Sequence, residues 1–303
     1  MTHEARPSAL DPAVLDRLES LSLVARTVVE GFMAGQHRSP QRGSSIEFAQ
    51  HRAYVPGDEL RRVDWQIFAR TDRLVVKEFV EETNFSCHLL VDASESMSFR
   101  SLAWSKFDYA RWCAAALGHL VIRQRDAAGL VLFDTNVRER VPPTNASHQE
   151  AEIVRVLERA TPTGATGVGD VLRWISGRLR RRGIVAIFSD FFDDVAKIVD
   201  GMRRLRHGGH EPILFQVLDP KEIEFDFTQL LRFDGLEDTG RLKIDPKAIR
   251  NAYLQELALH QRELKRQAQL LACDFVPLST RTGVDVALST YLARRSARAR
   301  VRS

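Results

Sequence analysis

The run His88-Leu89-Leu90-Val91 passes directly into Asp92-Ala93-Ser94-Glu95-Ser96. A carboxylate and two hydroxyls at alternate positions of one turning loop can aim three hard oxygens at a single point, and hard oxygens suit Mg2+ or Mn2+. Two further donors of the same kind lie downstream. Thr166 sits in Gly164-Ala165-Thr166-Gly167, a Gly-rich loop able to approach an ion closely, and Asp190 follows Phe188-Ser189. Two carboxylates balance the charge of a divalent ion and, with three neutral hydroxyls, give five oxygens, which leaves one octahedral position open for a carboxylate from another protein. The alternative for the first loop is structural, with Asp92 capping the turn and the serines satisfying loop backbone.

These residues need elements to bring them together. From Ser86 onward short apolar runs (His88 to Val91, Gly129 to Phe133, Ile184 to Phe188, Ile213 to Leu218) alternate with helical stretches (Lys106 to Arg125, Gln149 to Arg159, Val168 to Arg182, Val195 to Arg206). Continuous apolar strands separated by helices predict a buried, mainly parallel sheet with helices on both faces, a doubly wound α/β fold. Asp92, Asp134, Asp190 and Asp219 follow four of these strands, and ligands of open α/β sheets bind beyond the carboxyl ends. The segment Ile223 to Ile244 reads as a β excursion with a turn at Glu237 to Gly240. A helix (Pro246 to Cys273), a strand (Asp274 to Leu278) and a helix (Val284 to Arg295) complete the pattern.

Asp-x-Ser-x-Ser after the first strand, a Gly-flanked Thr and a later strand-end Asp resemble the metal-ion-dependent adhesion site of a von Willebrand factor type A domain. The resemblance implies that Asp92, Ser94, Ser96, Thr166 and Asp190 hold Mg2+, or Mn2+ or Ca2+, partly through water, and that a partner's carboxylate completes the shell.

Ahead of this region, residues 11 to 35 carry apolar positions at helical spacing (Leu15, Leu18, Leu21, Leu23, Val24, Val28), an amphipathic helix in need of a partner surface. From 36 to 83 the texture changes. His37-Arg38-Ser39-Pro40, Gly43-x-Ser45-x-Glu47-Phe48, Arg52-x-Tyr54-x-Pro56-Gly57-Asp58, Arg61-Arg62-x-Asp64-Trp65 and Ala69-Arg70 together resemble the signature of the bacterial family called "domain of unknown function 58". Members join this segment to a von Willebrand type A domain, and the resemblance implies a link to AAA+ ATPases of the MoxR type in assembly or maturation. Arg52, Arg61, Arg62 and Arg70 beside Asp58 and Asp64 are expected to form a buried or half-buried ion-pair network around Trp65 and Tyr54, serving either to organise the segment or to dock a partner. Four segments follow: a helix over 1–35, the signature over 36–83, the α/β domain over 84–293 and a basic tail over 294–303.

The 303 residues are 44% apolar and 28% charged, as in ordinary globular proteins. The formal net charge of +4 invites a nucleic-acid reading, but Arg294, Arg295, Arg298, Arg300 and Arg302 crowd the last ten residues, and without them the chain is near neutral. Nucleic-acid binding would then rest on this tail, and a solvated end is the simpler reading. Cys87, Cys113 and Cys273 are isolated in apolar contexts, so a reducing, cytoplasmic setting is expected. The longest uncharged apolar stretch, Trp112 to Ile122, is about half the ~20 residues of a membrane span. No P-loop, nucleophile elbow or H-E-x-x-H motif is present. His207-Gly208-Gly209-His210 reads as a helix end and turn, not a ligand pair.

The expectation is therefore a non-enzymatic, metal-dependent protein-interaction module whose partner is a MoxR-type ATPase or its client, with no small-molecule substrate. The alternative is a Mg2+-dependent phosphohydrolase using Asp92 and Asp190. It lacks the second carboxylate that aspartyl phosphotransferases carry two residues on, where Ser94 stands.

Overall fold

In a computed structural model the apolar runs become one six-stranded sheet; the structure describes residues 20–35, 48–54, 63–79, 86–179, 181–227, 231–234, 241–244 and 246–302. Two compact units divide the chain, one made of residues 1–37 and 86–303, the other of 38–85.

In the smaller unit β1 (Phe48–Ala53) pairs antiparallel with β2 (Val75–Phe79), and between them stands a short helix at Trp65–Thr71. Asp64 starts that helix by accepting from the Gln66 and Ile67 amides at 3.0 and 3.2 Å, and Asp72 ends it in the left-handed region. Tyr54 is half-buried and its amide donates to Leu74 O. Trp65, around which an ion-pair network is expected, is 55% exposed and packed edge-on against Phe68, and Arg70 is exposed as well. Asp64 acts as a helix cap. Arg52 lies in β1 opposite Val76, while Asp58, Arg61 and Arg62, with the His37 to Glu47 part of the signature, lie outside the described residues.

The larger unit opens with helix α1 (Leu21–Gly35), followed in chain order by the sheet strands β3 (Ser86–Asp92), β4 (Ala127–Phe133), β5 (Val137–Thr144), β6 (Gly183–Ser189), β7 (Glu211–Leu218) and β10 (Asp274–Ser279). A two-stranded hairpin, β8 (Leu231–Asp234) with β9 (Arg241–Ile244), stands where the β excursion was expected. The sheet order is β10-β7-β6-β3-β4-β5, parallel except for the β4–β5 pair. The doubly wound α/β expectation is met, with one addition. The edge strand β5 is half-exposed and carries Pro142 and Pro143, which weaken a strand pattern but are tolerated on an edge.

Side chains of β3 alternate between two cores. Leu89 and Val91 join helix Lys106–Arg123, α1, Gln149–Arg159 and Val284–Arg302 on one face; Leu90 joins Val168–Ser176, Val195–His207 and Pro246–Leu270 on the other. All seven residues of β3 are buried, and its apolar run Leu89-Leu90-Val91 is continuous and not alternating. The amphipathic α1 finds its partner surface in the first core, where Leu21, Val24, Ala25, Val28 and Val29 are buried. Residues 11–19 of the expected helix lie outside the described residues. The helix expected over Val168 to Arg182 ends at Ser176, capped by Gly177. The last helix runs on to Arg302, and Arg295 is tied to Glu211 and Asp274. Among the described residues no helix is long and apolar enough to cross a membrane.

Candidate functional site

Strand order reverses direction between β3 and β6, whose connections leave toward opposite sides of the sheet, so the topological switch point lies between them at the carboxyl edge. Asp92 is the last residue of β3 and Asp190 directly follows β6, so both carboxylates stand at that switch point. The Asp92 loop turns because Asp92 Oδ1 accepts the Ser94 amide at 2.9 Å, after which residues 95–98 form one 3-10 turn. Backbone bonds dock this loop to the Thr166 segment: Thr163 N donates to Ala93 O and Glu95 N to Gly164 O, both at 2.8 Å. Gly164 holds φ +77, and a Cβ on Gly167 would stand 2.8 Å from the Thr135 backbone, so the two glycines permit a turn and an approach that other residues would obstruct.

The five sequence-predicted residues are brought together. Thr166 Oγ1 donates to Asp92 Oδ2 at 3.0 Å, Ser94 Oγ and Ser96 Oγ are 3.1 Å apart, and Ser96 Oγ donates to Asp190 Oδ2 at 2.8 Å. Asp92, Ser94 and Asp190 are buried, whereas Ser96 and Thr166 are half-buried and form the accessible side. Burial, and then the nearby Asp190 charge, pushes the Asp92 carboxyl up to about 6 against the hydrogen bonds from Ser189 and Ser94. Asp134 and Asp219, the other strand-end acids, do not join. Asp134 accepts the Asn136 amide within its own turn, and Asp219 caps Pro220–Glu224 while accepting from Ser101. Of the two turn histidines, His207 is exposed and His210 is buried, so they make no pair.

Sequence reasoning overlooked four supports. Ser189 Oγ donates to Asp92 Oδ2 at 2.6 Å. Lys106, 1% exposed, donates to Asp190 Oδ2 at 2.8 Å and to Glu222 Oε1 at 2.7 Å. Burial alone would lower the Lys106 pKa, but the two carboxylates outweigh it and raise it, so the ammonium stays charged. Gln216 Nε2 donates to Asp190 O at 3.0 Å and is itself held by Gln261, while His260 Nε2 lies 2.9 Å from Phe191 O. These contacts hold the turn in which Phe191 adopts φ +59, an uncommon conformation for an aromatic residue that persists only where its surroundings over-determine it. A buried-side lysine directly behind the Ser105 cap was the available signal; the rest depend on contacts between separate elements that no local pattern reveals.

The donor set suits a hard divalent cation: two carboxylates and three hydroxyls, all oxygen, gathered from three segments. Among the described residues no group of three His, Cys, Asp or Glu side chains is arranged to hold an ion, so any cation must use the hydroxyls.

The mostly parallel α/β sheet, with helices on both faces, is a von Willebrand factor type A-like fold. The chain belongs to the DUF58 family: the family model "Protein of unknown function DUF58" matches residues 50–264. It is 29% identical over 283 residues to "Uncharacterized protein Rv1480" of Mycobacterium tuberculosis and equally to "Uncharacterized protein Mb1516" of Mycobacterium bovis, covering 91% of this chain and 87% of each relative. Among solved structures, BatB from Bacteroides thetaiotaomicron aligns at TM-score 0.47 and 15% identity, over 70% of this chain and 99% of BatB. The SpRpn10 VWA domain aligns at TM-score 0.41 and 12% identity, over 67% of this chain and 93% of that domain.

Proposed function

We propose that the chain is a non-enzymatic interaction module in which Asp92, Ser94, Ser96, Thr166 and Asp190 hold Mg2+, with Mn2+ or Ca2+ as substitutes, and a partner protein's carboxylate docks on the ion. The observation that carries this reading is the convergence of five oxygens from three separate segments at the sheet's switch point. Their accessible side is the one formed by Ser96 and Thr166. When bound, the ion supplies a Lewis-acidic position for a carboxylate; the chain supplies the oxygens, excludes water from beneath Asp92 and Asp190, and fixes the loops. Exposed Phe192 and Ile223, neighbours in sequence of Asp190 and Glu222, offer apolar contact beside it. The partner proposed is a MoxR-type AAA+ ATPase or its client, in a cytoplasmic assembly or maturation step.

The phosphohydrolase alternative needs Asp92 or Asp190 presented to a substrate. Both are 0% exposed, and the Asp92 oxygens accept from Ser94 N, Ser189 Oγ and Thr166 Oγ1, which favours holding over attack. Calorimetric titration of Mg2+ or Mn2+ into the full chain is expected to give heats that Asp92→Ala abolishes; equal heats in both proteins would remove the ion from the function. A pull-down with and without EDTA tests the docking, with recovery of an AAA+ ATPase expected only without chelator.

A further inference from the structure

Lys106 is the first residue of its helix, behind a Ser105–Asp108 capping box that fixes where its side chain begins. The ammonium lies between Asp190 and Glu222, 5.2 Å from the Phe192 ring centroid and 5.9 Å from that of Phe99. Aromatic faces and burial exclude water there, so the charge depends on its two carboxylates. Asp190 Oδ2 is shared: it accepts from Lys106 and from Ser96, the last hydroxyl of the five-residue cluster. A cation that takes Asp190 must therefore contend with a cation already on the same oxygen.

Glu222 gives Lys106 a second place. Its other oxygen, Oε2, accepts the Asp219 amide at 2.9 Å in a capping box, so Glu222 stays anchored whether or not Lys106 leans on Asp190. Two carboxylates, Asp190 and Glu222, hold the one ammonium, and removing it takes a positive charge away from beside Asp190, which strengthens Coulomb attraction for a divalent ion there.

We propose that Lys106 is a resident counter-cation of the strand-end site, which competes with a divalent ion for Asp190 and withdraws onto Glu222 when the ion binds, so that the pair Lys106–Glu222 sets the site's ion affinity. The proposal rests on the divalent-ion reading above. It makes two neighbouring substitutions act in opposite directions. Lys106→Met keeps the stem and removes the competitor, so Mn2+ affinity rises by ~10-fold or more. Glu222→Gln keeps an oxygen for the cap but removes the withdrawal site and one negative charge, so Mn2+ affinity falls by a similar factor.

The test is Mn2+ titration of the full chain and both variants, followed by calorimetry and by the paramagnetic resonance signal of free Mn2+, with thermal unfolding in parallel. Opposite shifts support the proposal, as does a melting temperature of Lys106→Met that Mn2+ raises more than it raises the wild type. Equal affinities in all three proteins, or weaker binding in both variants, overturn it while leaving the ion site standing. Absence of binding in all three overturns the ion site as well. Should Lys106→Met fail to fold, Lys106→Gln takes its place: tighter Mn2+ binding than in the wild type supports competition, and unchanged or weaker binding overturns it.

Discussion

The sheet carries a cation between two carboxylates at each of its two edges. At the carboxyl edge Lys106 bridges Asp190 and Glu222, with side-chain exposures of 1%, 0% and 13%. At the amino edge Arg295 bridges Glu211, the first residue of β7, and Asp274, the first of β10, with exposures of 32%, 51% and 20%. The composition is the same and the surroundings are opposite. Water screens the amino-edge trio, so it closes the sheet with little energetic consequence. The carboxyl-edge trio has lost its water, and each member depends on the others. A desolvated cation sharing a carboxylate with a row of hydroxyls is where the proposed divalent ion would exchange with a resident one; a solvated pair offers no such coupling.

The largest effect that separates the edges is stability without metal. Lys106→Met leaves Asp190 buried without its counter-ion, and urea unfolding in EDTA is expected to show a loss of roughly 3–5 kcal/mol. A loss below about 1 kcal/mol would mean that the carboxyl-edge trio is solvated in practice, and the contrast would break.

The edges also titrate in opposite senses. His88, buried in β3 toward its amino end, is lowered from 6.5 to about 4 by burial and then by the charges of His210 and Arg140. The unfolded chain takes that proton below about pH 6.5 and the folded chain only near 4, so stability falls as pH drops through this window, by roughly 3 kcal/mol. Asp92 is raised from 3.8 to about 6, so the folded chain takes its proton first, and stability rises as pH drops from 6 to 3.8, by a similar amount. In metal-free buffer the wild type should vary little between pH 6.5 and 4. His88→Gln should become more stable toward acid, and Asp92→Asn less stable. Parallel profiles for the two variants would refute the assignment.

Much of this arrangement was legible in the chain itself. Leu89, Leu90 and Val91 are contiguous and apolar because the two cores take them alternately, and that pattern revealed the doubly wound sheet. Asp92, Ser94 and Ser96 are local in sequence, so their loop could be recognised without the fold. Thr166 and Asp190 could be proposed because Gly residues and a strand end mark them. Lys106 and Glu222 could not, since what makes them a pair is a distance of 2.7 Å across 116 residues, set by how two helices begin beside Asp190. The edge strand β5 was missed for a different reason: it is half-exposed and proline-bearing, so it has neither strand periodicity nor burial to announce it. The signature segment stood out as sequence, but arginines and acids near an aromatic residue do not reveal which side of the ring faces water, and the exposure of Trp65 had to come from the structure.

The smallest expected effect is the sharpest check on burial as the deciding variable. Arg295 also touches the Tyr291 hydroxyl, which itself donates to Asp274 Oδ2 at 2.9 Å, so Arg295→Ala removes packing as well as charge. A double-mutant cycle with Glu211→Ala isolates the charge pair. The coupling is expected at about 0.2–1 kcal/mol and should vanish at ~1 M salt, where the screening length is about 3 Å. The same cycle on Lys106 and Glu222 should give a larger coupling that survives the salt, because ions cannot enter where water is excluded. An Arg295–Glu211 coupling that equals it and resists salt would show that the two edges differ in shape alone, and that the ion chemistry proposed for the carboxyl edge would rest on the hydroxyl row and not on desolvation.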